Sequence, residues 1–133
     1  RVYNSKNRHG AEFDLTESFV GMRSVHRTIS IDKNDKVTCV DKLANYNIKC
    51  DVRWNMTTFA NAEIVDNHTI LLKQDGKELI LRVAEPANAK AYIMDNNSGN
   101  WYDVKNKGVR VGFNLQMAPS CKVALKVELI PQK

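Results

Sequence analysis

An alternation of apolar and polar side chains with a period of two is the feature that most constrains the fold. Every second residue is apolar in residues 48–54 and again in residues 121–129. Successive side chains of a β-strand point to opposite faces, so this period predicts strands with one buried face and one solvated face. No segment carries the apolar stripe of 3.6-residue period that marks a helix packed on a core. In this alternation Trp54 falls on the apolar side of its strand, and we expect it in the core.

A second strong signal lies in residues 70–81, where two apolar runs flank Asp75 and Gly76. An Asp-Gly pair between two such runs is typical of a two-residue hairpin, because both positions of a type I′ turn need a positive φ. Glycine adopts that angle without steric cost, and aspartate tolerates it. The hairpin register that follows places Lys73 opposite Glu78, an arrangement that opposite charges favour.

Further short apolar runs recur at fairly even spacing between turn residues. They predict strands in residues 12–19, 25–31, 37–40, 91–94, 101–104 and 109–113. In residues 25–31, Val25, Ile29 and Ile31 share one face with Arg27. About ten strands in this arrangement predict an all-β fold, an antiparallel β-sandwich, forming a single domain over residues 1–133. A smaller terminal sheet beginning near residue 87 is a variant of the same prediction.

Composition fits one globular domain. The chain has 133 residues, of which 43% are hydrophobic and 26% are charged. No apolar run approaches the roughly 20 residues of a membrane-spanning helix, so no membrane partner is expected.

The chain is mildly basic. Lys and Arg number 20 against 15 Asp and Glu, a net charge of +5 that favours encounter with polyanions. The basic residues form no block, which fits a solvated surface equally well and gives no reason to expect a nucleic-acid partner.

Catalytic and metal-binding patterns are missing from the sequence. No G-x-S-x-G and no glycine-rich phosphate loop occurs. The histidines and cysteines lack metal-ligand spacing, and Cys50 and Cys121 alternate with apolar residues, which fits small buried hydrophobic positions. The histidines and cysteines are His9, His26, His68, Cys39, Cys50 and Cys121. We therefore expect no catalytic residue, metal or cofactor in this chain, and a disulfide between two of the three cysteines stays open.

Four residues are candidates for binding an acidic glycan. Arg27 interrupts an apolar face, where a charge needs a specific reason, and Arg23 is expected on the same face. Salt-sensitive binding, weakened by Arg27→Gln with the fold intact, would follow from such a role. The alternative is that Arg27 lies at a sheet edge and extends its head to water along its aliphatic stem. Trp101 and Tyr102 follow a polar loop and would offer an aromatic surface for a sugar ring, although one of the two should point inward.

Another strand carries basic residues on its polar face. Lys49 and Arg53 alternate with the apolar residues of the segment that ends at Trp54. They add to the same weak, salt-sensitive patch that the arginines would form.

Several short motifs resemble a known family. The quoted segments are His26-Arg-Thr-Ile-Ser-Ile31, Val37-Thr-Cys-Val-Asp-Lys-Leu43, Val52-Arg-Trp54, the Asp75-Gly76-Lys77 turn, Val111-Gly-Phe113 and Val127-Glu-Leu-Ile-Pro131. Together they are similar to the C-terminal β-sandwich region of heparinase II/III-type polysaccharide lyases, over residues 20–131.

The resemblance implies a role without chemistry of its own. These lyases cleave acidic, uronic-acid-containing polysaccharides by β-elimination, with catalytic Tyr and Asn from an α-helical toroid upstream of the sandwich. The family's sandwich histidine stands in an H-x-D-like context, which none of the three histidines here matches. The resemblance thus implies a non-catalytic domain that buttresses the toroid and lines the cleft, in a periplasmic or secreted bacterial lyase. The alternative is a stand-alone carbohydrate-binding or adhesion module, and an enzyme acting alone ranks third.

Overall fold

The structure is a computed structural model that describes residues 2–4, 8–19, 21–95 and 108–132. In these ranges, eleven β-strands and one 3₁₀ turn, Thr16–Ser18, account for the regular structure. The strands are β1 Val2–Asn4, β2 Arg8–Asp14, β3 Met22–Asp32, β4 Val37–Asn45, β5 Cys50–Thr58, β6 Asn61–Asp66, β7 Thr69–Gln74, β8 Lys77–Glu85, β9 Lys90–Asp95, β10 Val109–Met117 and β11 Lys122–Pro131. All pairings are antiparallel, and the predicted all-β sandwich is confirmed.

The strands form two sheets of unequal width. The large sheet has the order β1-β2-β3-β4-β11-β8-β7-β6, and the small sheet has the order β5-β10-β9. The small sheet does not begin near residue 87, as one variant of the prediction had it, because β5 forms one of its edges. The last strand, β11, lies inside the large sheet instead.

The core lies between the inner faces of the two sheets. One continuous cluster of buried apolar side chains joins them: Val25, Cys39, Leu43, Trp54, Ile70, Leu72, Leu81, Val83, Ala89, Val111, Phe113, Leu115, Met117, Leu125 and Val127. Trp54 is 9% exposed, and its ring lies 6.4 Å from that of Phe113 at a tilt of 41°. The prediction that Trp54 belongs to the core is confirmed.

The Asp75-Gly76 hairpin has the predicted turn and register. Asp75 has a φ of 54° and Gly76 a φ of 76°, both in the left-handed region that a type I′ turn requires. Lys73 pairs with Glu78 across β7 and β8, and its Nζ lies 3.7 Å from Oε1 of the glutamate.

The predicted strand over residues 12–19 is wrong in its second half. Strand β2 ends at Asp14, whose Oδ1 accepts hydrogen bonds from the backbone N–H of Thr16 at 3.0 Å and from its hydroxyl at 2.6 Å. This side-chain contact stabilises the 3₁₀ turn over continued strand. Phe13 and Phe19 both remain about half exposed.

The large sheet extends beyond the small sheet on the side of β1, β2 and β3. Ala11, Ile29, Cys39 and Val127 pair in one row across β2, β3, β4 and β11, so they share the inner face. Cys39 and Val127 are buried, whereas Ile29 is 36% exposed. The predicted common face of Val25, Arg27, Ile29 and Ile31 is confirmed, but it is not covered beyond Arg27, because the small sheet does not reach that far.

We call the uncovered inner face the overhang. It carries four exposed apolar side chains, Val2, Phe13, Ile29 and Ile31, at 81%, 45%, 36% and 37% exposure.

Candidate functional site

Arg27 and Asp41 form an ion pair inside the sandwich. They are directly paired residues of β3 and β4 on the inner face. Arg27 Nε donates to Asp41 Oδ1 at 2.7 Å, and Nη2 donates to Oδ2 at 2.9 Å, in a bidentate arrangement that fits the planar guanidinium. The Asp41 side chain is 6% exposed and that of Arg27 is 34% exposed.

This ion pair explains why an arginine interrupts the apolar face. The hydrogen bonds to Asp41 raise the pKa of Arg27 above its ordinary value, although burial acts in the opposite direction. Strand β3 lies between β2 and β4, so Arg27 is not at a sheet edge, and that part of the prediction is wrong. A glycan contact by the exposed third of Arg27 stays a prediction.

A cleft of about 310 Å³ opens beside the pair, between β3 and the β5 edge of the small sheet. Its walls include Trp54 and Cys50, and its apolar mouth carries the exposed side chains of Phe19 and Ile48. The buried indole Nε1 of Trp54 has no hydrogen-bond partner of ordinary geometry among the described residues.

Cys39 lies beside the ion pair. Burial raises the pKa of its thiol, while a contact with Trp54 acts in the other direction. The contact between Cys39 and Trp54 is not a hydrogen bond of ordinary geometry, so the indole Nε1 remains without a hydrogen-bond partner among the described residues. A thiol with a raised pKa is a poor nucleophile, and the Asp41 carboxylate is occupied by Arg27. The cleft is suited to binding an apolar group rather than to acid–base chemistry.

Arg23 does not share the face of Arg27. The register between β3 and β4 shifts between Met22 and Ser24, so a bulge changes the side-chain alternation at Arg23. Arg23 is exposed, and its guanidinium carbon lies 5.7 Å from the ring centroid of Tyr46, a cation–π contact. Arg23 does not line the cleft.

The remaining two glycan-binding candidates, Trp101 and Tyr102, lie outside the described residues, as does the strand predicted over residues 101–104. Their role stays a prediction.

Other titratable groups form no larger centre in the described ranges. There, no cluster of three or more His, Cys, Asp or Glu side chains has a metal-binding arrangement. His26 Nε2 lies 3.7 Å from Asp14 Oδ2 with both side chains exposed, and His68 Nε2 lies 2.9 Å from the carbonyl oxygen of Ala87. Cys39, Cys50 and Cys121 are all free thiols, so none of them pairs with another.

A second concave surface, which sequence reasoning missed, lies on the outer face of the small sheet. It has a volume of about 820 Å³, and we call it the groove. Its polar lining consists of Asp51, Arg53, Asn88, Lys90, Asn114 and Gln116. Arg53 was expected on a polar strand face together with Lys49, but Lys49 precedes β5. Polar residues at alternate positions of β10 were the available signal, although the pairing of β10 with β5 and β9 was not readable from the sequence.

Comparison with known proteins gives the fold a context. No family model and no curated protein sequence matches the chain. The chain is similar in structure to a heparan sulfate lyase from Pedobacter heparinus, with a TM-score of 0.77, 11% identity, and coverage of 100% of this chain and 21% of that one. It is also similar to a heparinase III, with a TM-score of 0.76, 16% identity and the same two coverages.

At these identities the likeness establishes the fold, and it confirms the predicted structural resemblance to heparinase-type lyases. The chain spans about a fifth of the length of these solved structures. No helix in the described part of the chain is long and apolar enough to cross a membrane.

Proposed function

We propose that the chain is a non-catalytic β-sandwich region of a polysaccharide lyase that acts on uronic-acid-containing glycans. One observation carries the proposal: the whole chain matches heparan sulfate lyase structures at TM-scores near 0.77 while covering only 21% of their length. A lyase region of this size would act together with the rest of a longer protein. Its parent would be a bacterial protein of the periplasm or the exterior, where acidic polysaccharides are encountered.

The non-catalytic role is supported by the state of the charged groups. β-Elimination needs a base that reaches the proton next to the uronate and a donor that stabilises the developing charge. The buried carboxylate of Asp41 is engaged by Arg27, and the His26–Asp14 pair lies exposed to solvent. Neither arrangement supplies a positioned base inside a pocket.

The overhang supports a structural role next to a further domain. Its exposed apolar side chains lie side by side on the inner sheet face, where Phe13 and Ile31 would normally be covered. Contiguous apolar surface of this kind marks a contact with another protein surface. We propose that the upstream α-helical toroid of the parent packs here, so that the sandwich buttresses the toroid and forms one wall of the glycan cleft.

An assay of β-elimination tests the proposed function. The chain and its longer parent protein are incubated with heparan sulfate, chondroitin sulfate and alginate, and the absorbance of the unsaturated uronate product is followed. We expect turnover of at least one glycan by the parent and none by the 133-residue chain. Sustained turnover by the chain alone would refute the non-catalytic role, and an inactive parent would refute the lyase assignment.

The contact at the overhang has its own test. Ile31→Ser should change the unfolding free energy of the isolated chain little but lower the unfolding temperature of the parent. Val65→Ser is the matched control, because Val65 is also exposed and lies at the opposite edge of the large sheet, on β6. Equal effects of the two substitutions in the parent would argue against a domain contact at the overhang.

A stand-alone carbohydrate-binding module is the second candidate, and the polar groove on the small sheet favours it. The two candidates differ in the length of the natural gene product. A product several hundred residues longer, with a helical domain upstream, supports the lyase, whereas a short secreted product supports the module.

A further inference from the structure

The groove is built from three strands whose side chains meet in rows. Arg53 of β5, Asn114 of β10 and Lys90 of β9 are paired in one row. The adjoining row contains Asn55, Gly112 and Tyr92. Neighbouring strands lie about 4.8 Å apart, so a row crosses about 10 Å of surface, comparable to the length of a disaccharide.

Arg53 is held in place by an aromatic ring. Its guanidinium carbon lies 5.5 Å from the ring centroid of Tyr92, although β10 separates their strands. Gly112 lies between them and has no side chain to fill the space. Because the guanidinium stacks on a ring, its N–H edges remain available for a bidentate contact with a carboxylate or sulfate.

The basic residues of the groove differ from those that pair with buried carboxylates elsewhere in the molecule. Arg27, Lys36 and Arg82 each contact a buried carboxylate. Within the described ranges, no carboxylate forms an ion pair with Arg53 or Lys90. Among the described residues that line the groove, Asp51 is the one acidic residue.

The other polar residues can supply neutral hydrogen bonds. Asn114 and Gln116 point from β10 into the groove, and Asn88 lies at its end, where Nδ2 donates to the carbonyl oxygen of Gln116 at 3.3 Å. Side-chain amides donate and accept, which suits the hydroxyl groups of a sugar. The buried hydroxyl oxygen of Tyr92 has no hydrogen-bond partner among the described residues.

We propose that the groove on the outer face of the small sheet binds a strand of anionic polysaccharide, with Arg53 and Lys90 contacting its acidic groups. The amides of Asn114 and Gln116 bind sugar hydroxyls between these two charges. Tyr92 acts as a positioning residue that fixes the guanidinium of Arg53. The proposal deepens the proposed function by naming the surface that meets the glycan, and it needs no catalysis by this chain.

Binding of defined polymers to the 133-residue chain tests the proposal. Titration calorimetry at low ionic strength uses heparan sulfate oligosaccharides, hyaluronan as a carboxylate-only polymer, dextran sulfate as a sulfate-only polymer and dextran as the neutral control. We expect binding of heparan sulfate and of at least one of the two anionic polymers, but not of dextran. Binding should disappear near 1 M salt, where the Debye length is about 3 Å.

Two double variants each remove two positive charges, one pair from the groove and one pair from the large sheet. Arg53→Gln/Lys90→Gln removes the proposed contacts, whereas Lys42→Gln/Lys77→Gln removes two exposed lysines of the large sheet. The first variant loses charge-assisted hydrogen bonds to the polymer, so we expect it to weaken binding about tenfold or more. The control should change affinity by about twofold or less, as for exposed surface charges.

A map of amide chemical shifts provides the second measurement. Addition of the oligosaccharide should shift the resonances of Gly112, Asn114 and Tyr92, with small changes on the large sheet. Equal weakening by the two double variants, or shifts spread over the whole surface, would overturn the groove in favour of general charge attraction. Absence of binding by the unaltered chain would overturn it as well, while the lyase assay of the parent would decide the proposed function separately.

Discussion

Arg27 and Asp41 are joined by two hydrogen bonds of 2.7 and 2.9 Å across neighbouring strands, and the side chain of Asp41 is 6% exposed. Removing one member of such a pair leaves an uncompensated buried charge, which costs about 3–5 kcal/mol when both groups are fully buried. Because a third of Arg27 is exposed, we expect Arg27→Gln to cost roughly 2–3 kcal/mol in denaturant melts.

The double variant Arg27→Gln/Asp41→Asn is the control for this prediction. It removes both charges together, so it should recover part of the loss, as a double-mutant cycle would measure. If the single and double variants were equally unstable, the ion pair would not be the cause. The sequence alone predicted that Arg27→Gln leaves the fold intact. Because of the ion pair with Asp41, we now expect this substitution to destabilise the chain clearly.

Trp54→Ala should destabilise the chain by about 3–5 kcal/mol, because the ring is buried against Phe113 between the sheets. Trp54→Phe should cost clearly less, since it keeps an aromatic ring and removes an indole N–H that has no hydrogen-bond partner among the described residues. Chemical denaturation measures both. A loss below about 1 kcal/mol for the alanine variant would contradict a core position.

Gly76→Val should cost about 1–2 kcal/mol, because Gly76 has a φ of 76°. No atom outside the immediate chain neighbours lies within 4 Å of an added Cβ there, so the loss is due to backbone strain and not to a clash. Gly76→Asn is the matched control, since asparagine tolerates the left-handed region, and thermal melts should show a smaller loss. Equal losses for the two variants would exclude backbone strain as the cause.

Gly112→Ala should be more damaging than Gly76→Val, for a different reason. An added Cβ would lie 1.9 Å from the carbonyl oxygen of Trp54 and 2.8 Å from the Cα of Asn55, both backbone atoms of β5. These atoms can yield only if β5 and β10 separate. We expect a loss of roughly 3 kcal/mol or more in denaturant melts. A neutral effect would mean that the two strands do not approach as described.

Glu128 should make the chain sensitive to acid. It is 3% exposed on the outer face of the large sheet, where it contacts Lys36 and where Arg82 Nη2 lies 2.7 Å from its Oε1. Burial raises the pKa of Glu128, but the hydrogen bonds from Lys36 and Arg82 together outweigh it and hold the pKa below its usual 4.5. A carboxylate whose pKa is lowered by folding stabilises the folded state at pH values above its pKa in the unfolded chain. This stabilisation is lost as the pH falls through the pKa of the folded state.

Unfolding free energy measured across pH tests this coupling. Stability of the unaltered chain should fall as the pH drops below about 4.5, the usual pKa of glutamate. Glu128→Gln should be less stable at neutral pH and should lose part of the acid dependence. A variant with an unchanged pH profile would show that other carboxylates account for it.

The local pattern of the sequence determined the strands, the hairpin and the position of Trp54. Asp75 and Gly76 specify their turn because both residues accept the positive φ that a type I′ turn requires. Trp54 faces the core because its strand alternates without interruption, and one face of a sheet must be covered. The same reasoning was wrong for the second half of residues 12–19. There the side chain of Asp14 stabilises a turn, and the alternation of apolar and polar residues gives no sign of it.

Only the tertiary structure decided which strands lie side by side and how far the second sheet covers the first. Asp41 becomes the partner of Arg27 through the pairing of β3 with β4, and a bulge separates Arg23 from both. The groove brings Arg53 to Tyr92 across β10, from positions that lie 39 residues apart in the chain. Ile29 and Ile31 have a core-like pattern but remain exposed, because burial depends on the width of the opposing sheet, which no local pattern encodes.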